Sequence, residues 1–238
     1  MIKKYMAAMS KQPQTVSTTV AEYQIWKEKI EAVGSLRAVR GVDISTEVAG
    51  VVTGVYFESG EQVVEGTLLV QLRADDEIAV LASLKAEADL ATLTYDRDLS
   101  QLKQRAIAQS VVDVDKANLE KAQAIIAQQE AIIAKKSIRA PFTGRLGLRA
   151  IDLGEYISPG NVIVTLQALD PIYFDFFLPQ EELAKIKLEQ RVSVTTDLYP
   201  DKSFVGKIWA INSKVDTSSR NVQIRAVLDN DAQELLPG

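Results

Sequence analysis

The sequence predicts a mixed α and β, multidomain, elongated fold: a β-sandwich split by an antiparallel α-helical hairpin, plus a small β-barrel with one helix. Three observations support this prediction. A glycine-rich module occurs twice, a long segment of helix-forming residues separates the two copies, and the outer segments are rich in β-forming residues. With 47% apolar residues, a chain of 238 residues can bury a sizeable core.

The repeated module reads GVVTGVYFESGEQVVEG at residues 50–66 and GRLGLRAIDLGEYISPG at residues 144–160. Superposed without gaps, the copies share three glycines, and the residues between the glycines are mostly β-formers. Each copy is therefore expected to form short strands joined by turns, with positive φ at the middle glycines, Gly60 and Gly154. The turn glycines of the repeat are Gly50, Gly60, Gly66, Gly144, Gly154 and Gly160.

The two copies are expected to fold together. A half of about 25 residues cannot bury its own apolar face, so each copy needs the other to complete a core. The predicted sandwich domain therefore consists of residues 46–73 and 137–168, which lie on either side of the helical segment.

Residues 74–136 are predicted to form the helical hairpin. Neither glycine nor proline occurs between Arg73 and Pro141. Apolar residues recur at intervals of three and four from Leu81 to Tyr95, and a second series runs from Leu119 to Ile133. The polar stretch at 102–110 is where the chain should reverse. Two helices of about 26 to 32 residues would make a rod of about 40 to 48 Å.

Residues 24–45 and 169–238 are predicted to form the β-barrel. Four later strands are expected, at 171–178, 191–196, 203–211 and 221–228. The stretch PQEELAKIKLE at 179–189 starts with proline and has acidic residues in its first turn, both typical of a helix N-terminus. Trp209 lies in an apolar strand, where core packing is the more frequent role of a tryptophan.

Composition excludes several classes of function. The chain has no cysteine and no histidine, so it can form neither thiolate or imidazole metal sites nor a histidine-based catalytic site. Its net charge of −5, without a long basic run, argues against nucleic acid as a partner. Acidic pairs such as Asp75-Asp76 and Glu181-Glu182 stand at predicted helix starts, where the helix dipole accounts for them. No enzyme activity, cofactor or metal is expected.

The paired half-motifs resemble biotinyl and lipoyl domains. The segments IRAPFTGRLG (138–147), GEYISPG (154–160) and VDTSSR (215–220), with a helical hairpin between the halves, resemble the periplasmic adaptor (membrane fusion) subunits of tripartite efflux pumps over about residues 25–238. The resemblance implies a subunit that bridges an inner-membrane transporter, most often of the RND class, and an outer-membrane channel, and that self-associates into a trimer or hexamer ring. It also implies that the barrel, with Trp26, Trp209 and Arg220, faces the transporter.

The family has a hairpin-tip motif of Arg, then Leu four positions on, then Ser seven positions later, which contacts the channel. Ser110 matches the serine, with Asp115 at the family's usual distance, but counting back from Ser110 gives Lys103 and Leu99 instead of Leu and Arg. The expected channel contacts are therefore Ser110 and the nearby substitutes Arg97, Leu102 and Arg105. The alternative for Ser110 is an N-cap of the second helix.

The sequence also departs from the family pattern. Gln190 stands where the family usually has glycine before a strand, and the chain stops at LLPG, where the family adds a last barrel strand and a membrane-proximal domain. MIKKYMAAMSK is too short for the apolar core of a signal peptide, and no apolar run is long enough for a membrane span. A truncated chain is expected, with residues 1–23 as an unpaired remnant of a protein that is attached to the inner membrane in the periplasm.

Two alternatives remain open. The same scaffold also serves ABC-type exporters and metal-efflux pumps, although the methionines that could bind soft metals, Met1, Met6 and Met9, all lie at the N-terminus. A biotin or lipoyl carrier is the second alternative. It would need a lysine at the exposed turn between the halves, and the first half ends at QLRADDEIAV (71–80) without one.

Overall fold

The computed structural model describes residues 17–23 and 29–238, and the chain divides into two units, 1–32 and 33–238. In the first unit, the described residues 17–23 and 29–32 form no helix or strand. Most of the predicted N-terminal remnant lies outside the described residues, and so does Trp26.

The second unit, residues 33–238, is described throughout and consists of strands, two long helices and one short helix. In chain order its elements are β1 (Gly34–Ser45), β2 (Gly50–Val55), β3 (Gln62–Val63), β4 (Leu68–Leu72), α1 (Asp75–Lys103), α2 (Gln109–Lys135), β5 (Ser137–Arg139), β6 (Gly144–Leu146), β7 (Tyr156–Ile157), β8 (Val162–Pro179), a 3-10 helix (Gln180–Lys185), β9 (Arg191–Thr196), β10 (Tyr199–Val215) and β11 (Asn221–Leu228).

The sandwich consists of two sheets, each built by both copies of the repeat. One sheet has the order β5-β4-β2-β7, and in the other β3 pairs with β6 and β6 with the first part of β8. Thus β7 of the second copy pairs with β2 of the first, and β3 of the first copy pairs with β6 of the second. The interlocking predicted from the repeat is confirmed. Its core includes Leu69, Leu72, Ile157, Ile163 and Leu166, which are almost completely buried.

The turns of the two copies match in their hydrogen bonds. The backbone N–H of Glu58 donates to Glu61 Oε2 at 2.8 Å, and the N–H of Asp152 donates to Glu155 Oε2 at the same distance. The glycine inside each turn has positive φ, 84° at Gly60 and 86° at Gly154. Glycine avoids the steric cost that a side chain would have in this conformation, as the sequence predicted.

Gly66 and Gly160 are also turn glycines with positive φ, but Gly50 and Gly144 are not. Gly50 and Gly144 begin strands β2 and β6, so the expectation that all six glycines form turns is corrected for these two. A Cβ on Gly144 would lie 2.5 Å from the carbonyl oxygen of Gln167 in the neighbouring strand. Here glycine permits the close approach of two strands.

β1 and β8 run through both the sandwich and the barrel. They pair antiparallel from Gly34 opposite Phe176 to Ser45 opposite Val162, with a register shift between Ala38 and Arg40. Ile44 belongs to the sandwich core, whereas Leu36 packs against the barrel core. The predicted domain boundary after 168 therefore falls inside a continuous strand, and the division into domains stays a prediction.

The barrel strands are β8, β11, β10 and β9 in that order, with the first part of β1 on the other side of β8. Ile172, Ile208, Ile224 and Leu228 form the centre of their core. The helix predicted at 179–189 is shorter than expected: only Gln180–Lys185 is helical, as a 3-10 helix, and Ile186 is already extended. The chain turns here into β9, and Glu189, with φ of 62°, provides that turn beside Gln190.

Candidate functional site

The helical hairpin takes the place of the turn between two neighbouring strands. β4 and β5 pair antiparallel, with Gln71 opposite Ser137, and the hairpin connects them. α1 has 29 residues and α2 has 27, as the sequence predicted, so each helix is about 40 Å long. The buried residues of these helices are Ala88 of α1 and Val112 of α2, and the apolar side chains that face the partner helix are half-buried.

The hairpin base, defined as residues 74–77 and 135–137, is held to the sandwich by charged groups. The Lys136 side chain is only 8% exposed, and its Nζ lies 2.8 Å from Glu77 Oε1 and donates to the carbonyl oxygen of Ala49 at 3.1 Å. The hydrogen bond from Lys136 lowers the pKa of Glu77, against the opposing effect of burial. Lys135 pairs with Glu47 at 2.9 Å, in a more exposed position. The base therefore joins both helices to the sandwich through an ion pair in which the lysine is buried and the glutamate is partly exposed.

The hairpin tip, defined as residues 104–108 and the adjoining helix ends, closes α1 by backbone hydrogen bonds alone. The N–H of Arg105 donates to the carbonyl of Leu102 at 2.8 Å, and the N–H of Ala106 donates to that of Gln101 at 3.0 Å. This pair of bonds is the Schellman ending of a helix, whose left-handed position is usually glycine. Arg105 occupies that position with φ of 59°.

The start of α2 differs from the expectation for Ser110. The N-cap residue is Ala108, whose φ and ψ of −78° and 149° are suitable for a cap but whose side chain cannot accept a hydrogen bond. Ser110 is the second residue of α2 and is exposed, so the N-cap alternative for Ser110 is wrong. The reason is local: α2 begins two residues earlier than the position of Ser110 requires.

The four predicted contact residues do not form one cluster. Leu102 is half-buried in the last turn of α1, whereas Arg105 and Ser110 are exposed at the turn and at the start of α2. Arg97 is exposed on α1, pairs with Asp98 at 3.3 Å, and stands six residues before the end of the helix, about 9 Å along its axis. Their role in channel contact stays a prediction.

Two carboxyl groups face each other across the helices below the tip. Asp115 of α2 is half-buried, and its Oδ2 has no hydrogen-bond partner among the described residues. Burial raises the pKa of Asp115, and Asp98 of α1 raises it further, while Arg97 acts in the opposite direction. Burial and the nearby Asp98 thus favour the protonated form of Asp115, compared with an exposed aspartate.

On the barrel, Trp209 is 57% exposed, so the expectation of a core tryptophan is wrong. Its neighbour Ile208 is buried in the barrel core, so alternation along β10 places Trp209 on the outer face, where it stacks on Tyr173. Arg220, the other described residue expected to face the transporter, lies in the turn before β11 with φ of 55°.

Metal-binding clusters and membrane-spanning helices are both absent from the described part of the chain. In residues 17–23 and 29–238, no three potential metal ligands of the His, Cys, Asp or Glu type lie together. The helices within the same ranges also include none that combines the length and apolarity needed to cross a membrane.

Comparison with known proteins gives two family matches. Residues 40–167 match the model of the CzcB-like barrel-sandwich hybrid domain, and residues 172–238 match that of the CusB-like β-barrel domain. A protein of Haemophilus influenzae is 31% identical over the whole chain, which covers 63% of that protein. Multidrug resistance protein MdtA of Proteus mirabilis is 26% identical over 87% of the chain and 56% of its own length. The chain thus spans about three fifths of the curated relatives that it matches.

Solved structures agree on the fold. A chimeric MacA-MexA protein, containing the α-hairpin domain of Pseudomonas aeruginosa MexA, superposes with a TM-score of 0.75 at 19% identity over 87% of this chain and 76% of the other. A putative efflux transporter of Bacteroides eggerthii gives 0.72 at 19% identity over 91% and 70%. Since the barrel-sandwich model alone covers more than half of the residues, the chain belongs to the membrane fusion protein family, the periplasmic adaptors of efflux systems.

Proposed function

We propose that this chain forms part of a periplasmic adaptor that links an inner-membrane RND transporter to an outer-membrane channel for the export of drugs or other small molecules. The observation that supports this most directly is the hairpin. It is joined firmly to the sandwich at its base, through Lys136 and Glu77, and its tip carries exposed polar residues. Such a construction suits a spacer that carries a contact surface away from its domain.

In this proposal the tip contacts helices of the channel, through Arg105 and Ser110 and through Arg97 and Leu102 nearby. Arg105 supports the assignment because its left-handed backbone would be less strained with glycine. Residues that are kept in unfavourable conformations are often functional. The sandwich domains of several copies would form a trimer or hexamer ring, and the full-length protein would be attached to the inner membrane in the periplasm.

The carrier alternative is less well supported. A swinging-arm carrier presents a free lysine at the turn between the two halves of the domain, and here the hairpin occupies that place. The lysines that adjoin it, Lys135 and Lys136, are paired with Glu47 and Glu77. A modified lysine would have to leave one of these ion pairs.

The proposal is tested with a single thiol, because the chain has no cysteine. Ser110→Cys is placed in a full-length, anchored version without other cysteines, and cross-linking to an outer-membrane channel is measured in intact cells. Ala127→Cys, exposed in the middle of α2, is the matched control. We expect a cross-link from position 110 and none from 127. A folded, exported protein that gives no cross-link from 110 would contradict docking through the tip.

The class of transporter needs a second probe, since an adaptor of an ABC-type exporter would have the same hairpin. Arg220→Cys, in the exposed turn of the barrel, is cross-linked in the same cells, and the partner is identified by mass spectrometry. We expect an RND transporter. Recovery of an ABC exporter would replace the RND assignment and leave the adaptor role intact.

A further inference from the structure

A cleft of about 720 Å³ lies on the outer face of the barrel sheet. Along β8, Ile172, Phe174, Phe176 and Leu178 point into the barrel core. Since side chains alternate along a strand, Tyr173 points to the opposite, outer face. The cleft is therefore separate from the core, and it is also separate from the hairpin. Its volume lies within the range of small-molecule sites.

The pairing of the strands places a row of outward side chains across this face. Tyr173 of β8 stands opposite Val227 of β11, Val227 opposite Lys207 of β10, and Lys207 opposite Arg191 of β9. The row thus ends in two cations on neighbouring strands, an arrangement that is unfavourable unless an anion lies close by. Glu189 pairs with Lys207 at 3.4 Å, and no ion pair of Arg191 is present among the described residues.

An aromatic wall borders the row. Trp209 stacks on Tyr173 with ring centroids 5.7 Å apart and planes inclined by 20°. Tyr173 is fixed in turn by Arg225, whose guanidinium lies 4.6 Å from the ring centroid and donates two hydrogen bonds of 2.6 Å to Asp175. The pair is therefore held in place before any ligand arrives, and more than half of the Trp209 surface remains exposed. An exposed, fixed aromatic surface is a stacking platform for another ring.

From this geometry we propose that the cleft binds a planar aromatic compound with an acidic group. The ring lies against Trp209 and over Val227, and the acidic group lies between Arg191 and Lys207. Asp229, which follows β11 and also lines the cleft, fixes the orientation, because its carboxylate repels an anion and so directs the acidic end toward β9. The proposal does not depend on the adaptor role, since no residue of the hairpin takes part.

The test uses two probes of the same shape and opposite charge, naphthoate and naphthylmethylammonium, titrated into the chain by calorimetry. We expect naphthoate to bind about fivefold more tightly than the cation, the effect of one exposed charge contact. Absence of saturable naphthoate binding up to about 10 mM, the weak end of measurable affinity, would overturn the proposal. Equal affinity for both probes would overturn the role of the cations.

Substitutions of residues that line the cleft test whether naphthoate binds there. Trp209→Ala is expected to abolish naphthoate binding, while Trp209→Phe, which keeps a ring, should retain it. Arg191→Gln should weaken binding about fivefold, and Asp229→Asn should strengthen it by a smaller factor. Lys121→Gln, an exposed lysine on α2, is the control and should change nothing. If naphthoate binds Arg191→Gln and Trp209→Ala as tightly as the wild type, the ligand lies elsewhere and the assignment is refuted. If Trp209→Ala does not fold, the affinities of Arg191→Gln and Asp229→Asn for naphthoate decide whether the assignment holds.

Discussion

The base and the tip of the helical hairpin are stabilised in opposite ways. At the base, Lys136 is buried and bonded to both Glu77 and the carbonyl of Ala49. At the tip, α1 ends with an arginine in a left-handed conformation, and α2 begins with an alanine that cannot cap it. At the base, the charged groups of the two helices are thus paired. At the tip, the residues that usually stabilise helix ends, a glycine after α1 and a capping side chain before α2, are missing.

The difference indicates what each end requires. The base fixes both helices to the sandwich through Lys136, whose ammonium group is buried, and Glu77, which is partly exposed. The tip keeps Arg105 where glycine would fit better and Ala108 where serine would, which costs stability. Such departures from local preference are expected where a surface serves a partner.

The largest effect is expected at the base. Lys136→Met removes one member of a mostly buried ion pair and leaves Glu77 and the Ala49 carbonyl without their donor. We expect the free energy of unfolding to fall by about 2 kcal/mol, somewhat less than for a fully buried pair because Glu77 is partly exposed. The measurement is urea denaturation followed by circular dichroism.

Lys135→Met is the matched control for this experiment. Its partner Glu47 is largely exposed, so the loss should stay below about 0.5 kcal/mol. Equal losses in the two variants would mean that burial of Lys136 does not matter, and the contrast between base and tip would disappear.

At the tip, Ala108→Ser should stabilise the start of α2. The backbone of Ala108 already has the extended conformation of an N-cap, so a serine hydroxyl could accept a hydrogen bond from the first turn. We expect a gain of about 1 kcal/mol in the free energy of local opening, measured by amide hydrogen exchange of residues 109–113. Ser110→Ala serves as the comparison and should change little, since Ser110 caps nothing.

Arg105→Gly should give a smaller gain, about 0.5 kcal/mol, because the relief of left-handed strain is partly offset by the greater freedom of glycine in the unfolded chain. Arg105→Val, which is β-branched, should destabilise the turn. If the tip contacts a channel through Arg105, the Arg105→Gly variant would be more stable than the wild type and yet lose export activity in cells. Increased stability with full activity would show that Arg105 has no role in contact.

The sequence predicted the large features of this fold because each of them follows from a pattern in the sequence itself and does not depend on tertiary contacts. The repeat required two interlocking halves, and the absence of glycine and proline required long helices. Exceptions arose where the contacts of a single residue decide the outcome. Trp209 was expected inside because a tryptophan in an apolar strand is more often buried, but Ile208 takes the inward position and alternation leaves Trp209 on the outer face. Gly144 was expected in a turn because its close contact with Gln167 is not visible in sequence.

At the candidate site, the hairpin and its reversal were predictable, but its details were not. Helix starts are uncertain by one or two residues in sequence, and that uncertainty decided whether Ser110 or Ala108 is the cap. The ion pair of Lys136 and Glu77 was missed because its members are 59 residues apart in sequence and lie at the ends of different helices. Lys136 stands directly before β5, the first strand of the second half, and this position was the sequence feature that could have indicated the ion pair.

The smallest effect is expected from pH at the tip. Because burial and Asp98 raise the pKa of Asp115 above its ordinary value of 3.8, the folded state binds a proton more tightly than the unfolded state. This contribution to stability is fully present below pH 3.8 and is lost as the pH rises through the raised pKa. Asp115→Asn should therefore be more stable than the wild type at about pH 7 and indistinguishable from it near about pH 3.

The control for this prediction is at the base, where the sign is reversed. The hydrogen bond from Lys136 lowers the pKa of Glu77, so its contribution is present at neutral pH and lost as the pH falls through the lowered value. Hydrogen exchange across this range should show the base loosening in acid while the tip tightens. If both ends loosened together in acid, Asp115 would not bind a proton more tightly in the folded state than in the unfolded state, and the two ends would share one electrostatic response.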